Sequence, residues 1–352
     1  MSFSVIIPAR DAEATIGETI TSIQRQTRAP EEIIVVNNLS RDKTARIAAD
    51  LGCVVVDCST PGAGAARNFG ASRARGNYLV FVDADVTLSE NWLETLWPAL
   101  EAGFPMALTP VVPVGDETFF HRYRRRLGSV RYEKSSLSLR SPGQGLHPVI
   151  NTAACVYRKD FFRAIGGFDE RLHRLEDTEL SERAFALGGT IFATERARAE
   201  VKNTGGIGSY LKRSYVLGRA KTQLYGLNGR NPYEFFWRDR MTEALESFTP
   251  EESLFFLVNQ LATLAGMLTE TLFGSPLRRR PLHPYLKGLH RQSHRISVEG
   301  AGYHLGPRLS LIQIDDDLNF VRFGDNPERV TVNRSRLVEL LPELLNRGAL
   351  AK

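Results

Sequence analysis

The stretch Tyr78-Leu79-Val80-Phe81-Val82-Asp83-Ala84-Asp85-Val86 decides the fold. Its first five residues are apolar or aromatic without polar alternation, the pattern of a strand buried on both faces at the centre of a parallel sheet. Two carboxylates, one residue apart, follow where that strand should end. Open α/β sheets bind ligands outside the carboxyl ends of their strands, so such a fold delivers Asp83 and Asp85 to the mouth of a site. Hard oxygen donors there suit a divalent cation that keeps its waters and bridges a diphosphate. A strand followed by an acidic turn accounts for the same residues, because Asp is common in turns.

The flanking sequence alternates between the two periods. Val5-Ile6-Ile7 reads as a buried strand ended by Pro8, and Ile16, Ile20 and Ile23 form one helical stripe. Ile33 to Val36 is a second strand running into Asn37-Asn38, after which Ser40 is placed to cap a helix that Gly52 ends. Val54-Val55-Val56 is a third strand, Pro61 to Gly64 a loop, and Ala65 to Ser72 a short helix before the central strand. Beyond Asp85, Ser89 is placed to cap a helix bearing Trp92, Leu93, Leu96 and Leu100, and Met106 to Val112 reads as a further strand. Strands alternating with helices through short connections predict a doubly wound, mostly parallel α/β sheet.

The composition is that of a soluble enzyme. With 352 residues, 42% hydrophobic and 24% charged, the chain exceeds one ordinary core, so more than one domain is expected. Cys53, Cys58 and Cys155 are few and unpatterned, as free thiols in a reducing compartment are. The N-terminus enters a strand without a basic leader or apolar signal core, which predicts a cytoplasmic protein. The net charge of +5 is unevenly distributed. Basic residues lie scattered or in short clusters without interleaved aromatics or a zinc motif, so nucleic acid is excluded as the partner. A nucleotidyltransferase would begin with a glycine-rich loop after its first strand, which Pro8-Ala9-Arg10-Asp11-Ala12 is not.

Residues 113–148 differ from the rest. They hold few apolar runs, a basic cluster at Arg122, Arg124, Arg125, Arg126, Arg131 and Lys134, and the turn-rich Ser141-Pro142-Gly143-Gln144-Gly145. A lid or binding loop fits this length, as does a solvated surface helix over the arginines. Between Asn151 and Gly189 the sequence carries Gly166-Gly167-Phe168-Asp169 and then Glu176-Asp177, where a helix should begin with Leu180, Ala184 and Leu187 on its buried face. Acidic residues in a first turn are favoured by the helix dipole alone. A carboxylate beside unpaired backbone N–H groups also stays ionised, as a general base must.

Taken in order, Val5-Ile6-Ile7-Pro8, Ile34-Val35-Val36-Asn37-Asn38, Ala66-Arg67-Asn68, Phe81-Val82-Asp83-Ala84-Asp85, Gly166-Gly167-Phe168-Asp169 and Glu176-Asp177 resemble the family 2 glycosyltransferases of GT-A fold. The resemblance covers roughly residues 3–205. It implies an inverting, metal-dependent transfer of a sugar from a nucleotide diphosphate sugar to an acceptor hydroxyl, with Mg2+ or Mn2+ as cofactor. By the resemblance Asp85 meets the metal, Asp83 the ribose or a metal-bound water, Arg67 lies along the nucleotide, and Asp177 is the general base. Pro8, Arg10, Asn37, Asn38, Ala84, Asn151, Gly167 and Glu176 are its further donor-side positions.

Two residues depart from the family pattern. Where the family commonly has an Asp that accepts the N3–H of uracil, this chain has Asn37, whose amide can accept but can also turn and donate. UDP-sugar remains the favoured donor. Where relatives carry a His that completes the metal site, this chain has Asn203, an acceptable ligand for a hard ion and a poorer one for a transition metal. The lone His173 reads as a surface or acceptor-side residue. These substitutions also keep open a GT-A domain that binds nucleotide or a partner protein without turnover.

Beyond residue 205 the pattern turns helical. Tyr210 to Tyr225 is basic and amphipathic, and Ser253 to Phe273 is nearly continuously apolar, although Asn259, Gln260, Thr263 and Glu270 interrupt it. A core helix or an interfacial one is expected rather than a span, with Arg278-Arg279-Arg280 as an anchor to anionic lipid. Strand-like pieces at Leu309 to Ile314 and Phe320 to Phe323 and a helix from Ser335 to about Asn346 complete the chain. The expected organisation is a catalytic domain over 1–205, a helical segment over 206–280 that is membrane-interfacial or oligomeric, and a small α+β appendage over 281–352. The acceptor is left open, the basic cluster suiting an anionic one, and a homo-oligomer is among the expected states.

Overall fold

The computed structural model describes residues 2–115, 119, 123, 151–186, 189–202, 206–227, 248–274, 295–298, 301–305, 309–314, 317–322, 328–333, 336–346 and 350–351. The N-terminal part alternates as the sequence predicts: β1 (Phe3–Ala9), α1 (Ile16–Gln24), β2 (Glu32–Asn37), α2 (Thr44–Asp50), β3 (Val54–Asp57), α3 (Ala63–Arg73) and β4 (Tyr78–Val82). In space these strands lie in the order β3-β2-β1-β4, all parallel. All five residues of β4 are buried. Its side chains alternate between two cores: Leu79 and Phe81 face one, and Tyr78, Val80 and Val82 the other. Helix α3 covers the first core and α1 the second. Helix and strand meet so closely on the α3 side that a Cβ on Gly70 would lie 2.5 Å from Ile6 Cγ2.

The next four strands after β4 are β5 (Val86–Leu88), β6 (Met106–Leu108), β7 (Val111–Val114) and β8 (Ala154–Arg158), with α4 (Trp92–Glu101) following β5. The predicted strand from Met106 to Val112 is thus two strands in two sheets. Thr109 and Pro110 break it, and the Thr109 hydroxyl accepts from the buried Trp92 indole N–H at 2.6 Å. After β8 come α5 (Lys159–Ala164), α6 (Glu176–Ala186), β9 (Ile191–Ala193) and β10 (Ala199–Lys202). Strand β8 joins β4 antiparallel, β6 pairs antiparallel with β8 and parallel with β9, and β5-β10-β7 form a separate three-stranded sheet.

Three local expectations change. Pro8 does not end β1, which runs on to Ala9; β4 flanks β1 only over Phe3 to Ile6, so Pro8 lies where β2 alone is its neighbour and a missing N–H is tolerated. Ser40 does not cap α2, because its hydroxyl accepts from Asp11 N–H, while the Asp42 carboxylate accepts from Thr44 N–H at 3.0 Å. Ser89 gives Trp92 only its backbone carbonyl.

The remaining elements are α7 (Ile207–Leu227), α8 (Pro250–Phe273), β11 (Arg295–Val298), β12 (Ala301–Leu305), β13 (Leu309–Ile314), β14 (Asp317–Arg322), β15 (Glu328–Asn333), α9 (Leu337–Asn346) and β16 (Leu350–Ala351). β13 pairs in parallel with β9, so the main sheet has ten strands, in the order β15-β14-β13-β9-β6-β8-β4-β1-β2-β3. Strands β13, β14 and β15 thus extend the main sheet, while β11, β12 and β16 form a third, three-stranded sheet. No described helix is long and apolar enough to cross a membrane. The basic cluster at 122–134 and Arg278 to Arg280 lie outside the described residues.

Candidate active site

The carboxyl ends of β1, β2, β3 and β4 open on one edge of the sheet. There the loop after β1 and the loop after β2 hold each other: Arg41 N–H donates to Asp11 Oδ1 at 2.8 Å, and Ala12 N–H to the Thr44 hydroxyl at 2.8 Å. Arg10 is exposed on this rim, its Nε 3.8 Å from the Asp11 carboxylate. Asn38 is buried, with its amide hydrogens committed to the carbonyls of Cys58 and Thr60 and its oxygen accepting from Gly62 N–H. It staples the loop that leads into α3, and so acts on the site through that loop. Asn37 points elsewhere. Its Nδ2 donates to Asp57 Oδ1 at 2.7 Å and its oxygen accepts from Ser40 N–H at 3.3 Å. These two contacts fix the amide, so the acceptor at this corner is the Asp57 carboxylate and the donor is Asn37.

Two adjacent residues of α3 join motifs far apart in the chain. Arg67 is buried, with Nη2 2.6 Å from Asp83 Oδ1 and Nη1 2.8 Å from Glu176 Oε1. Burial disfavours a charged guanidinium, but two carboxylates at hydrogen-bond distance outweigh it and raise its proton affinity. With its side chain 4% exposed, Arg67 is an internal bridge between the end of β4 and the start of α6, rather than a group lying along a nucleotide. Asn68 holds the glycine motif: its oxygen accepts from Phe168 N–H at 2.9 Å and its amide donates to the Phe168 carbonyl at 3.0 Å. Gly167 has φ 63°, and a Cβ there would lie 2.7 Å from Asn68 Oδ1, so this turn needs glycine.

Asp83, Ala84 and Asp85 form the turn out of β4. Asp83 N–H donates to the Ala153 carbonyl, and the Asn151 side chain in turn accepts from Ala153 N–H at 3.0 Å. Ala84 is buried and its carbonyl takes the Thr19 hydroxyl, so only the carboxylates on either side are half-exposed. Lys202 N–H lies 3.4 Å from the Asp85 carbonyl. The next residue in the sequence, Asn203, lies outside the described residues. Among the described residues no group of three or more His, Cys, Asp and Glu could cage a metal. Two hard carboxylates at a strand end still fit Mg2+ or Mn2+, which takes one or two protein carboxylates and completes its shell with water and phosphate oxygens.

At Leu175 the backbone is left-handed, φ 61°, and the turn it makes starts α6 with Glu176 buried toward Arg67 and Asp177 half-buried beside it. Asp177 Oδ1 accepts from Thr178 N–H at 2.7 Å. Desolvation, and then the neighbouring Glu176 charge, push the Asp177 carboxyl up to about 6, against the lowering by Thr178 and Arg67. The site therefore gathers Asp83, Asp85, Glu176 and Asp177, with Arg67 paired to the half-exposed Asp83 and the buried Glu176. Sequence reasoning assigned no role to Asn68 or Asp57. Asn68 sits in the quoted Ala66-Arg67-Asn68 motif, and Asp57 is an acid at a strand end, so both carried a signal.

A mixed sheet with carboxylates on the turn out of its central strand, and another on the first turn of a helix tied back to that strand, is a GT-A fold with an acidic site at its strand ends. Residues 4–166 match the glycosyl transferase family 2, and this part of the chain is a domain of that family. It is similar to 4,4'-diaponeurosporenoate glycosyltransferase of Staphylococcus aureus, with 41% identity over 102 residues, which are 27% of this chain and 27% of that relative. The matched region is thus little more than a quarter of either protein. Among solved structures it is similar to S. aureus TarS 1-349 in complex with UDP, at 17% identity over 86% of this chain and 96% of the other, TM-score 0.42. It is also similar to the mannosyltransferase PcManGT from Pyrobaculum calidifontis in complex with GDP-Man and Mn2+, at 15% identity over 78% and 76% of the chains, TM-score 0.48.

Proposed function

We propose that this chain is an inverting glycosyltransferase that moves a sugar from a nucleotide diphosphate sugar, with uridine as the favoured nucleoside, to an acceptor hydroxyl by single displacement. The observation that carries this reading is the Asp83–Arg67–Glu176 bridge, which ties the acidic turn of β4 to the helix start that bears Asp177. The acceptor oxygen loses its proton to Asp177 as it bonds to the anomeric carbon. The bond from that carbon to the diphosphate breaks, and its electron pair leaves with the nucleotide. A carboxylate with a proton affinity near 6 is largely ionised at neutral pH and more basic than an ordinary Asp, as general-base work requires. The transition state is oxocarbenium-like, and no protein nucleophile takes part.

Asp85, with Asp83, would hold the divalent ion, which when bound supplies positive charge for the departing diphosphate. Asn37 and Asp57 place an N–H donor beside a carboxylate acceptor, the complement of the O4 and N3–H edge of uracil. The test is turnover of UDP-glucose, UDP-N-acetylglucosamine and GDP-mannose, with Mg2+ or Mn2+, by the parent and by Asp177→Asn. The variant should lose about 10² to 10⁴-fold in transfer or donor hydrolysis while donor affinity stays within a few-fold. Undiminished turnover in Asp177→Asn would overturn the mechanism, and failure of every nucleotide sugar to bind would overturn the donor reading.

A further inference from the structure

Thr19 and Ser22 on α1 and Gln26 just past its end, spaced by three and then four residues, form one polar stripe. Thr19 and Gln26 are buried and Ser22 is half-buried. All three side chains reach the chain that leaves β4. The Thr19 hydroxyl donates to the Ala84 carbonyl at 3.0 Å, and the Ser22 hydroxyl accepts from Leu88 N–H at 3.1 Å. The Gln26 amide oxygen accepts from Leu93 N–H at 3.0 Å, while its nitrogen donates to the Ser89 carbonyl at 2.8 Å. A helical threonine commonly returns its hydroxyl to a carbonyl one turn back, as Thr21 does to Gly17 at 2.8 Å. Thr19 instead sends it to the acidic turn, 65 residues further along the chain.

That contact bears on the direction of the Asp85 side chain. The Ala84 carbonyl belongs to the planar peptide that ends on the Asp85 nitrogen, so the Thr19 hydroxyl fixes this plane. On the other side of Asp85, Lys202 N–H lies 3.4 Å from the Asp85 carbonyl and fixes the next plane. Asp83 is held in the same way, its N–H on the Ala153 carbonyl at 3.0 Å and its own carbonyl accepting from Val86 N–H at 3.1 Å. Of these four contacts, that of Thr19 is the one a side chain makes, so a substitution can remove it and leave the backbone as it is. Groups that hold a metal ligand from behind set its direction, and their loss typically costs about 10- to 100-fold in metal affinity.

We propose that Thr19 is a positioning residue of the donor site, holding the Asp83–Asp85 turn in the geometry with which Asp85 meets a divalent ion on the nucleotide diphosphate. This rests on the role proposed above for Asp85 at the metal. UDP affinity is to be measured by calorimetry, with and without Mn2+, for the full-length parent, Asp85→Ala, Thr19→Val, Thr19→Ala, Thr19→Ser and Ser22→Ala. Valine keeps the branching and nearly the volume of threonine but cannot donate. Thr19→Val and Thr19→Ala should weaken UDP binding about tenfold in Mn2+ and by less than about twofold without it. Thr19→Ser, which keeps the hydroxyl, should bind as the parent does. Ser22→Ala cuts a bond of the same stripe further from the turn, and should lower the melting temperature without moving the effect of Mn2+. If the parent and Asp85→Ala bind UDP equally with and without Mn2+, the metal reading fails and this proposal with it. If Asp85→Ala loses the Mn2+ effect while Thr19→Val keeps it, the positioning role alone is overturned. Equal loss in Ser22→Ala, or failure of both Thr19→Val and Thr19→Ala to fold, would make Thr19 a residue of the fold only and overturns the proposal as well.

Discussion

Asn37 Nδ2 lies 2.7 Å from Asp57 Oδ1, at paired positions on the facing ends of two parallel strands. Because Asn37 also accepts from Ser40 N–H, the amide cannot turn over without losing both contacts. The carboxylate expected one strand earlier is therefore supplied from β3. Asp57→Asn should weaken binding of uracil nucleotides about tenfold, the worth of one hydrogen bond to a charged group, and flatten the ranking among nucleotides. Titration calorimetry with UDP, GDP and CDP checks this, and an unchanged ranking would place the base elsewhere.

Arg67 leads to a second prediction. Removing one partner of a buried ionic cluster strands the others without water or counter-charge. Arg67→Met should cost about 3–5 kcal/mol in urea unfolding, several times more than Glu176→Gln, which keeps an acceptor for the guanidinium. The Arg67 charge also holds the Asp177 carboxyl down. In Arg67→Lys, whose single ammonium cannot span both carboxylates, the acidic limb of the rate profile should move to higher pH. An unmoved limb would show that Arg67 only holds the fold.

How much of this was legible in sequence follows from the range of each interaction. The burial of β4 on both faces was legible because five consecutive apolar side chains leave no solvent face, and the period of Ile16, Ile20 and Ile23 is equally local. The partners of Arg67 were not, since Glu176 lies 109 residues away and a motif does not say which carboxylate an arginine meets. The pairing of β13 with β9 is likewise invisible to periodicity, which is why residues 309–333 read as separate. In α8 the apolar run was plain, but its inward face is set by Gly218 and Gly266, whose role appears only when two backbones meet.

Gly167 and Asn68 form one unit, so their substitutions should not add. Gly167→Ala puts a side chain on left-handed backbone and against Asn68 Oδ1, and should cost about 1–3 kcal/mol. Asn68→Ala removes the groups that hold Phe168 at both its N–H and its carbonyl. Thermal unfolding of both single variants and the double variant should show the double losing less than the sum, because the turn that each supports is already released. Strict additivity would separate the two.

Asp177 should report in opposite directions on activity and on stability. Its folded carboxyl titrates at about 6 against an ordinary 3.8, so the folded state holds that proton more tightly than the unfolded state. The sign follows from linkage: between these values the native state binds more protons, and this group's contribution to stability falls as pH rises through the window. Above about 6 the ionised carboxylate carries its whole desolvation cost, at most about 3 kcal/mol. Asp177→Asn removes that cost, so the variant should be more stable than the parent at pH 7 and no more stable at pH 4. A general base must be ionised, so kcat/KM of the parent should rise with pH to a plateau, with its midpoint near 6. Parallel urea melts and initial rates across pH 4 to 8 check both slopes, and a stability gain in Asp177→Asn that is the same at both ends of that range would mean that Asp177 does not titrate there.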